Sequence, residues 1–181
     1  TGTITARAIT VTAATDSKEY NGTTSSSRMP TITSGSLGTG DNVTWTQTFD
    51  TKNVGTNKTL TPAGTVSDSN SGNNYSVTFT SVSTGTITAK ALTVSGLTAV
   101  NKVYDSNTTA TFTGTAALSG LVAGDDVTLG GTPAGTFTDE HVANGISVTV
   151  TGSTISGTDT TNYTFTQPNL ITNITAKALT V

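Results

Sequence analysis

An eleven-residue segment that recurs along this chain constrains its fold more than any other feature. Thr1–Val11 reads TGTITARAITV, Thr84–Val94 reads TGTITAKALTV, and Asn173–Val181 repeats most of it as NITAKALTV. Copies spaced by about 85 residues indicate tandem structural repeats, each large enough to enclose a core of its own. The sequence therefore predicts two modules, residues 1–89 and residues 90–181.

Further landmarks recur between these copies, in the same order in both modules. They are a Lys-x-Tyr-Asn/Asp turn signal, a Gly-Asp pair, a Phe five residues ahead of a Val, and an Asn-Tyr pair. We interpret them as structural signature positions, namely Tyr20, Asn21, Gly22, Asp41, Trp45, Phe49 and Tyr75 in the first module and Tyr104, Asp105, Asp125, Phe137 and Tyr163 in the second. Leu129 stands where the first module has Trp45, and an aliphatic replacement indicates core packing rather than ligand contact.

The hydrophobic pattern within each module has a period of two. Val43, Trp45 and Phe49 fall on one face of a segment with Thr on the other, which is typical of a half-buried strand. Thr occupies 46 positions, and its β-branched side chain favours extended backbone. Clusters of Gly, Asn, Asp and Ser separate these runs. The pattern predicts an all-β chain in which each module is a small β-sandwich of the immunoglobulin type.

Two details bear on the topology of these modules. Asp159 precedes Tyr163 by the spacing of a tyrosine corner, in which the Tyr hydroxyl bonds to backbone nearby in the chain. Ala116–Ala123 is the one stretch in which helical periodicity exceeds a single turn. It leaves open an alternative fold, a β-grasp module with one short helix on its sheet.

The recurring segment also contains a change of face. Apolar residues occupy odd positions at Ile87, Ala89 and Ala91 but even positions at Leu92 and Val94. Because successive side chains of a strand point to opposite faces, a slip of one residue turns the buried side over. One extended segment is therefore expected to close one module and then open the next.

This slip predicts an inter-module joint, whose residues are Ala89, Lys90, Ala91 and Leu92. By the same comparison, residues 1–8 resemble the closing strand of a preceding module, and residues 178–181 resemble the opening strand of a following one. No flexible Gly/Ser linker separates the modules, so we expect them to be joined end to end as an elongated rod.

Composition and motifs exclude several classes of function. The chain is 10 % charged with a net charge of −3, and without a basic stripe it cannot hold a nucleic-acid backbone. It has no Cys beside its single His141, and no Gly-x-Ser-x-Gly motif, so neither a zinc site nor a catalytic nucleophile can be assembled. No apolar run spans a membrane in this fragment. We predict a non-enzymatic, monomeric fragment without catalytic residues.

Acidic residues of the second module are the candidates for metal ligands. Carboxylates are preferred ligands of Ca²⁺, and the candidates are Asp125, Asp126, Asp139 and Glu140. The first module has Asn42 and Lys52 at matching places, and no EF-hand-like spacing exists. Calcium is therefore a candidate for the second module alone, and no cofactor of the repeat as such is expected.

Taken together, the landmarks resemble a known family. Lys-x-Tyr-Asp/Asn-(Gly)-x-Thr-Thr, Gly-Asp-Asp-Val-Thr and Asn-Tyr-Thr, joined by Ile-Thr-Ala-Lys-Ala-Leu-Thr-Val, are similar to the YDG/MBG-type repeats of large bacterial surface proteins. Such repeats resemble the stalk modules of filamentous-haemagglutinin-like adhesins. The resemblance implies an extracellular, cell-surface location and neighbouring repeats of the same polypeptide as partners.

The resemblance also implies a function, a structural spacer that extends a distal adhesive region from the cell. The alternative is a ligand-binding adhesin module that recognises host glycan, matrix protein or a biofilm component through loops or an edge strand. Sugar-binding surfaces usually expose aromatic rings, whereas Trp45 lies in a core-phase position and all four Tyr occupy two repeated positions. The sequence favours the spacer.

Overall fold

The computed structural model describes residues 2–180, and it is built from strands. The first half of the chain contains β1 (Arg7–Thr12), β2 (Ser17–Glu19), β3 (Thr31–Ser34), β4 (Asn42–Phe49), β5 (Gly55–Ser67), β6 (Tyr75–Thr80) and β7 (Val82–Thr88). The second half contains β8 (Lys90–Ala99), β9 (Lys102–Val103), β10 (Thr109–Ala110), β11 (Phe112–Ser119), β12 (Thr128–Phe137), β13 (Ala143–Ser156), β14 (Tyr163–Thr166) and β15 (Asn169–Thr175). The prediction of an all-β chain is confirmed.

The alternative of a short helix at Ala116–Ala123 is wrong. This stretch continues β11 as far as Ser119, where Leu118 pairs with Val94 of β8. Burial along β11 alternates with the period of a strand, and the strand ends at Gly120, which has a φ of 99°. The one helical element within residues 2–180 is a 3₁₀ turn, Thr160–Asn162. A helix-bearing β-grasp module is therefore excluded.

The chain divides into two compact units, and the boundary falls between Ala89 and Lys90. In the first unit, a three-stranded sheet has the order β3-β1-β6 and a four-stranded sheet the order β2-β7-β5-β4. In the second, a three-stranded sheet has the order β11-β8-β14 and a five-stranded sheet the order β10-β12-β13-β15-β9. The two units therefore repeat one topology, with β10 as the extra edge strand of the second.

The opening strands of each unit lie parallel to its closing strands. β1 runs parallel to β6, and β2 runs parallel to β7 in the other sheet. The second unit repeats both pairs, with β8 parallel to β14 and β9 parallel to β15. The start of each unit is thus hydrogen-bonded directly to its end, in both of its sheets.

Each unit has a core to which both of its sheets contribute. In the first unit, Ile9 and Val11 of β1 pack with Trp45 of β4 and Val66 of β5. Fully burying an aliphatic or Phe side chain contributes about 1.5–3 kcal/mol, so a few such residues supply much of a small module's stability. The second core gathers six buried residues, namely Ala99, Ala110, Phe137, Ile146, Val148 and Ile174. The arrangement is sandwich-like.

Alternation along β4 shows how the sequence pattern becomes this core. Trp45, Gln47 and Phe49 are buried, while the intervening Thr residues are exposed. Placing Thr on the outer face costs little free energy because its methyl and hydroxyl groups suit the partly solvated surface of a pleated sheet.

The joint region carries the change of face. Ile87 is buried at the end of β7, and Leu92 is buried in β8, although these positions differ in parity. Ala91 between them is exposed, and Ala89 is the one residue that separates β7 from β8. Ile87 therefore faces the core of the first unit, and Leu92 faces the core of the second.

Candidate functional site

The Lys-x-Tyr-Asn turn of the first unit is built around the ammonium group of Lys18. Its Nζ donates hydrogen bonds to Asn21 Oδ1 at 3.0 Å, to the Thr23 carbonyl at 2.6 Å and to the Ser25 carbonyl at 2.9 Å. Burial lowers the pKa of Lys18, and the nearby Asp16 carboxylate opposes that shift. The ammonium group thereby binds acceptors from three residues and stabilises this irregular turn.

The side chain of Asn21 completes this turn. Its Oδ1 also accepts the backbone N–H of Thr23 at 3.1 Å, an Asx-type contact. Gly22 follows with a φ of 76°, a left-handed conformation that Gly adopts at little cost. The preceding Tyr20 is fully buried, and its N–H donates to the Thr88 carbonyl of the closing strand. The turn is therefore anchored to the end of the unit.

The second unit repeats the cluster with different side chains. Lys102 Nζ donates to the carbonyl of Asn107 at 2.7 Å and to that of Thr109 at 3.1 Å. It also forms an ion pair of 2.8 Å with Asp105. The hydrogen bond from Lys102 holds the pKa of the Asp105 carboxyl below its usual value. Ser106 has a φ of 63° and so adopts the left-handed conformation that Gly22 has in the first unit.

An aromatic ring underlies each lysine. Lys18 Nζ lies 5.2 Å from the ring centroid of Phe49, and Lys102 Nζ lies 5.9 Å from that of Phe137. Both distances fall within the range of cation–π attraction. Tyr104 of the second turn is half-buried against the core beneath it. The Lys-x-Tyr signature and the Phe signature thus form one structural cluster in each unit, which we call the lysine cluster.

The Asn-Tyr and Gly-Asp signatures form a second repeated cluster. The Tyr75 hydroxyl donates to Asp41 Oδ2 at 2.5 Å and accepts the Gly38 N–H at 2.6 Å. The hydrogen bond to Asp41 raises the pKa of Tyr75 above its ordinary value, because the carboxylate stabilises the protonated phenol. This contact, which we call the tyrosine latch, ties β6 to the loop ahead of β4.

The tyrosine latch is repeated in the second unit. Tyr163 donates to Asp125 Oδ2 at 2.6 Å and accepts the Val122 N–H at 3.0 Å. The expected tyrosine corner is wrong in its partner, since the backbone group that Tyr163 contacts is 41 positions away. Asp159 instead accepts the N–H of Asp126 at 3.0 Å and so fastens the same two loops together.

A loop anchor accompanies the latch in the first unit. Asp68 is 7 % exposed and accepts backbone N–H groups of Gly72, Asn70 and Asn74. Burial would raise the pKa of Asp68, but these hydrogen bonds outweigh it and hold the pKa below the usual value. In the second unit, Asp126 takes a similar part by accepting the N–H of Thr158, which lowers the pKa of Asp126.

A buried polar network in the first unit carries no sequence signature. Gln47 is 3 % exposed, and its amide exchanges two hydrogen bonds with the backbone of Ala14, at 2.8 and 2.7 Å. Gln47 Nε2 also donates to Ser26, whose hydroxyl donates to Asp16 at 2.6 Å. The sequence signal that could have revealed this network is the position of Gln47 on β4, where it falls on the apolar face between Trp45 and Phe49.

The candidate calcium ligands do not converge. Asp125 binds Tyr163, and Asp126 binds Thr158. Asp139 contacts His141 Nδ1 at 2.5 Å, which raises the pKa of that exposed imidazole. Within residues 2–180, no three His, Cys, Asp or Glu side chains are placed to hold a metal ion.

Between residues 2 and 180, the chain contains no helix that is long and apolar enough to cross a membrane.

The fold and the two clusters define a class of protein, a tandem array of all-β modules. In each module, repeated polar residues join loops to strands by hydrogen bonds. The profile of the YDG domain matches the chain twice, at residues 5–84 and 88–170. The chain therefore belongs to the YDG domain family, with two copies of the domain in tandem. No curated protein and no solved structure matches it significantly.

Proposed function

We propose that this chain is a structural spacer, part of the stalk of a large extracellular adhesin on a bacterial surface. Its function would be to hold a distal adhesive region away from the cell under load, without catalysis. The observation that carries the proposal is the parallel pairing of the opening and closing strands in each unit.

Parallel terminal strands suit a module that is pulled by its ends. Ser17, Lys18 and Glu19 of β2 pair with Thr86, Ile87 and Thr88 of β7. Tension applied at the start of the unit and at its end draws two parallel neighbours in opposite directions along their length. All the hydrogen bonds between them are then loaded together in shear, whereas antiparallel neighbours pulled from one end would separate one bond at a time.

Each of the two repeated clusters holds one strand of these parallel pairs in place. Lys18 and Lys102 lie on the opening strands β2 and β9 and bind the turns that follow them. The tyrosine latches bind β6 and β14, the parallel neighbours of β1 and β8. These side chains are engaged within their own units, as expected of groups that keep a module closed.

Pulling the 181-residue chain by its ends in a single-molecule force experiment tests the proposal. A shear-loaded spacer should give two separate unfolding events at high force, one for each unit. Thr86→Pro removes the N–H that donates to the Asp16 carbonyl at 3.0 Å and should lower the force of one event, with the other event as internal control. If both units unfolded at the low force that separates strands one hydrogen bond at a time, the proposal of a load-bearing spacer would be rejected.

We also infer that the two units are immunoglobulin-like sandwiches joined stiffly into a rod. The support is that Ala89 alone separates β7 from β8. Small-angle scattering of the chain should give one elongated particle, and inserting Gly-Gly-Ser after Ala89 should broaden the distance distribution. Equal scattering from the two proteins would show that the natural joint already swivels.

A second candidate function is a binding module for host glycan or matrix protein. An open cavity of about 440 Å³ at the second lysine cluster favours it, lined by Asn101, Lys102, Asp105, Asn107, Thr109 and Thr111. A glycan and matrix-protein binding screen distinguishes the two functions. A saturable ligand whose binding is lost in Asp105→Ala would favour the binding module.

A further inference from the structure

A cavity of about 280 Å³ lies between the two sheets of the second unit. Thr115 and Ala116 of β11 form one side, and Leu129 and Pro133 of β12 face them with Ser153 of β13. The lining is about equally polar and apolar in character. It is separate from the lysine cluster and from the tyrosine latch.

One buried polar atom of a residue that lines this cavity has no hydrogen-bond partner in the part of the chain that the structure describes. Ser153 is 6 % exposed, and its Oγ finds no donor or acceptor among residues 2–180. The Ser153 carbonyl, in contrast, accepts a hydrogen bond from Gln167 Nε2 at 2.6 Å. Buried oxygens are almost always paired in folded proteins, so Ser153 Oγ marks a place for a donor from outside the chain.

The first unit has an indole ring where the second has this cavity. Counted from the Gly-Asp signature, Trp45 corresponds to Leu129; counted back from Phe49 and Phe137, it corresponds to Pro133. Both of these residues line the cavity. Trp45 is 5 % exposed, so the first unit fills with its own side chain the space that the second leaves open.

Strand register explains how the space arises. β4 and β5 pair without interruption along eight residues, whereas β12 and β13 shift register between Gly131 and Ala134. The shift inserts one extra residue into β12, and Gly130 and Gly131 just before it have no side chains to fill the interior. A dry engineered cavity of about 150 Å³ is large enough to bind benzene, so the larger cavity has room for two fused rings.

We propose that this cavity is a binding site for a small planar two-ring molecule that carries one N–H donor, a ligand of the indole class. Its rings contact Leu129 and Pro133 in the manner of a core Trp, and its N–H donates to Ser153 Oγ. The site is independent of the spacer function, which requires no ligand.

Titration of the ¹⁵N-labelled 181-residue chain with indole, followed by backbone amide shifts, tests the proposal. Saturable shifts are expected at Gly130, Gly131 and Ser153, and none in the core of the first unit. The control probe is 1-methylindole, which keeps the two rings but lacks the N–H. It should bind roughly three- to tenfold more weakly, the loss expected for one hydrogen bond.

Two variants locate the site. Leu129→Trp should fill the cavity and abolish the indole-dependent shifts, while Ser153→Ala keeps the cavity and should weaken indole binding but not 1-methylindole binding. If Leu129→Trp does not fold, Ser153→Ala decides. Linear shifts spread over both units, equal affinity for the two probes, or long-lived water at Ser153 without saturable binding would each overturn the proposal.

Discussion

Tyr163 donates its hydroxyl to Asp125 at 2.6 Å although 38 positions separate the two residues in the chain. Tyr75 and Asp41 have the same relationship in the first unit. The Asn-Tyr and Gly-Asp signatures therefore recur together because they are two halves of one contact. The most direct consequences concern stability, since each latch joins a strand to a distant loop.

Tyr163→Phe should destabilise the second unit by roughly 1–3 kcal/mol, because it leaves Asp125 and the Val122 N–H without the hydroxyl that pairs them. Urea unfolding followed by amide signals of the second unit measures this change. Thr164→Val alters an exposed neighbour on the same strand and should stay within about 0.5 kcal/mol of the natural chain. Equal midpoints for the two variants would mean that the latch contributes nothing.

Ser106→Gly should stabilise the second unit by about 0.5–1 kcal/mol. Ser106 has a φ of 63°, and an L-residue with a side chain is strained there by roughly 1–2 kcal/mol. Gly relieves this strain, but the greater conformational freedom of Gly in the unfolded chain cancels part of the gain in stability. The matched control is Gly22→Ser, which puts the same strain into the first unit. The two substitutions should shift the urea midpoints of their units in opposite directions; shifts of the same sign would contradict the assignment.

Periodicity was enough to predict the all-β class and the burial of the β4 face. Trp45 and Phe49 share one face of an alternating strand, and hydrophobic burial acts on that face whatever the topology. The change of face between Ile87 and Leu92 could be read for the same reason, since side-chain direction follows parity along a strand.

Contacts between distant segments could not be predicted from local rules. The partners of Lys18 include two backbone carbonyls, whose positions depend on the shape of the turn rather than on residue type. The Tyr163–Asp125 contact depends on which loops the two sheets bring together, which no short-range spacing encodes. The helical pattern at Ala116–Ala123 failed because pairing of β11 with β8 outweighs a weak local preference.

Gln47→Leu should destabilise the first unit by roughly 2–5 kcal/mol. The substitution replaces the amide with an apolar side chain of similar size and leaves the N–H and carbonyl of the half-buried Ala14 without partners. Trp45 is the single Trp of the chain and is buried two residues away, so its fluorescence in urea reports unfolding of this unit alone. Thr46→Val on the exposed face is the control. A Gln47→Leu midpoint at or above that of the control would show that the network is dispensable.

The same network should make the first unit sensitive to acid through Asp16. Burial alone would raise the pKa of Asp16, but hydrogen bonds from Ser26, Ser27, Ser17 and Arg28 outweigh it and hold the pKa below the usual value. A carboxyl whose pKa is lower in the folded chain than in the unfolded one adds stability above the unfolded pKa, near 3.9. That contribution is lost as pH falls from about 4 through the folded pKa.

Asp16→Asn tests this dependence, because it keeps the side-chain shape and removes the titrating group. Urea midpoints from Trp45 fluorescence should be lower for the variant at pH 7, and the difference from the natural chain should shrink steadily as pH falls below about 4. Asp50 and Asp68, whose pKa values are also lowered, remain in both proteins and so cancel in the difference. A difference that stays constant from pH 7 to pH 3 would show that the ionised carboxylate of Asp16 does not stabilise the fold.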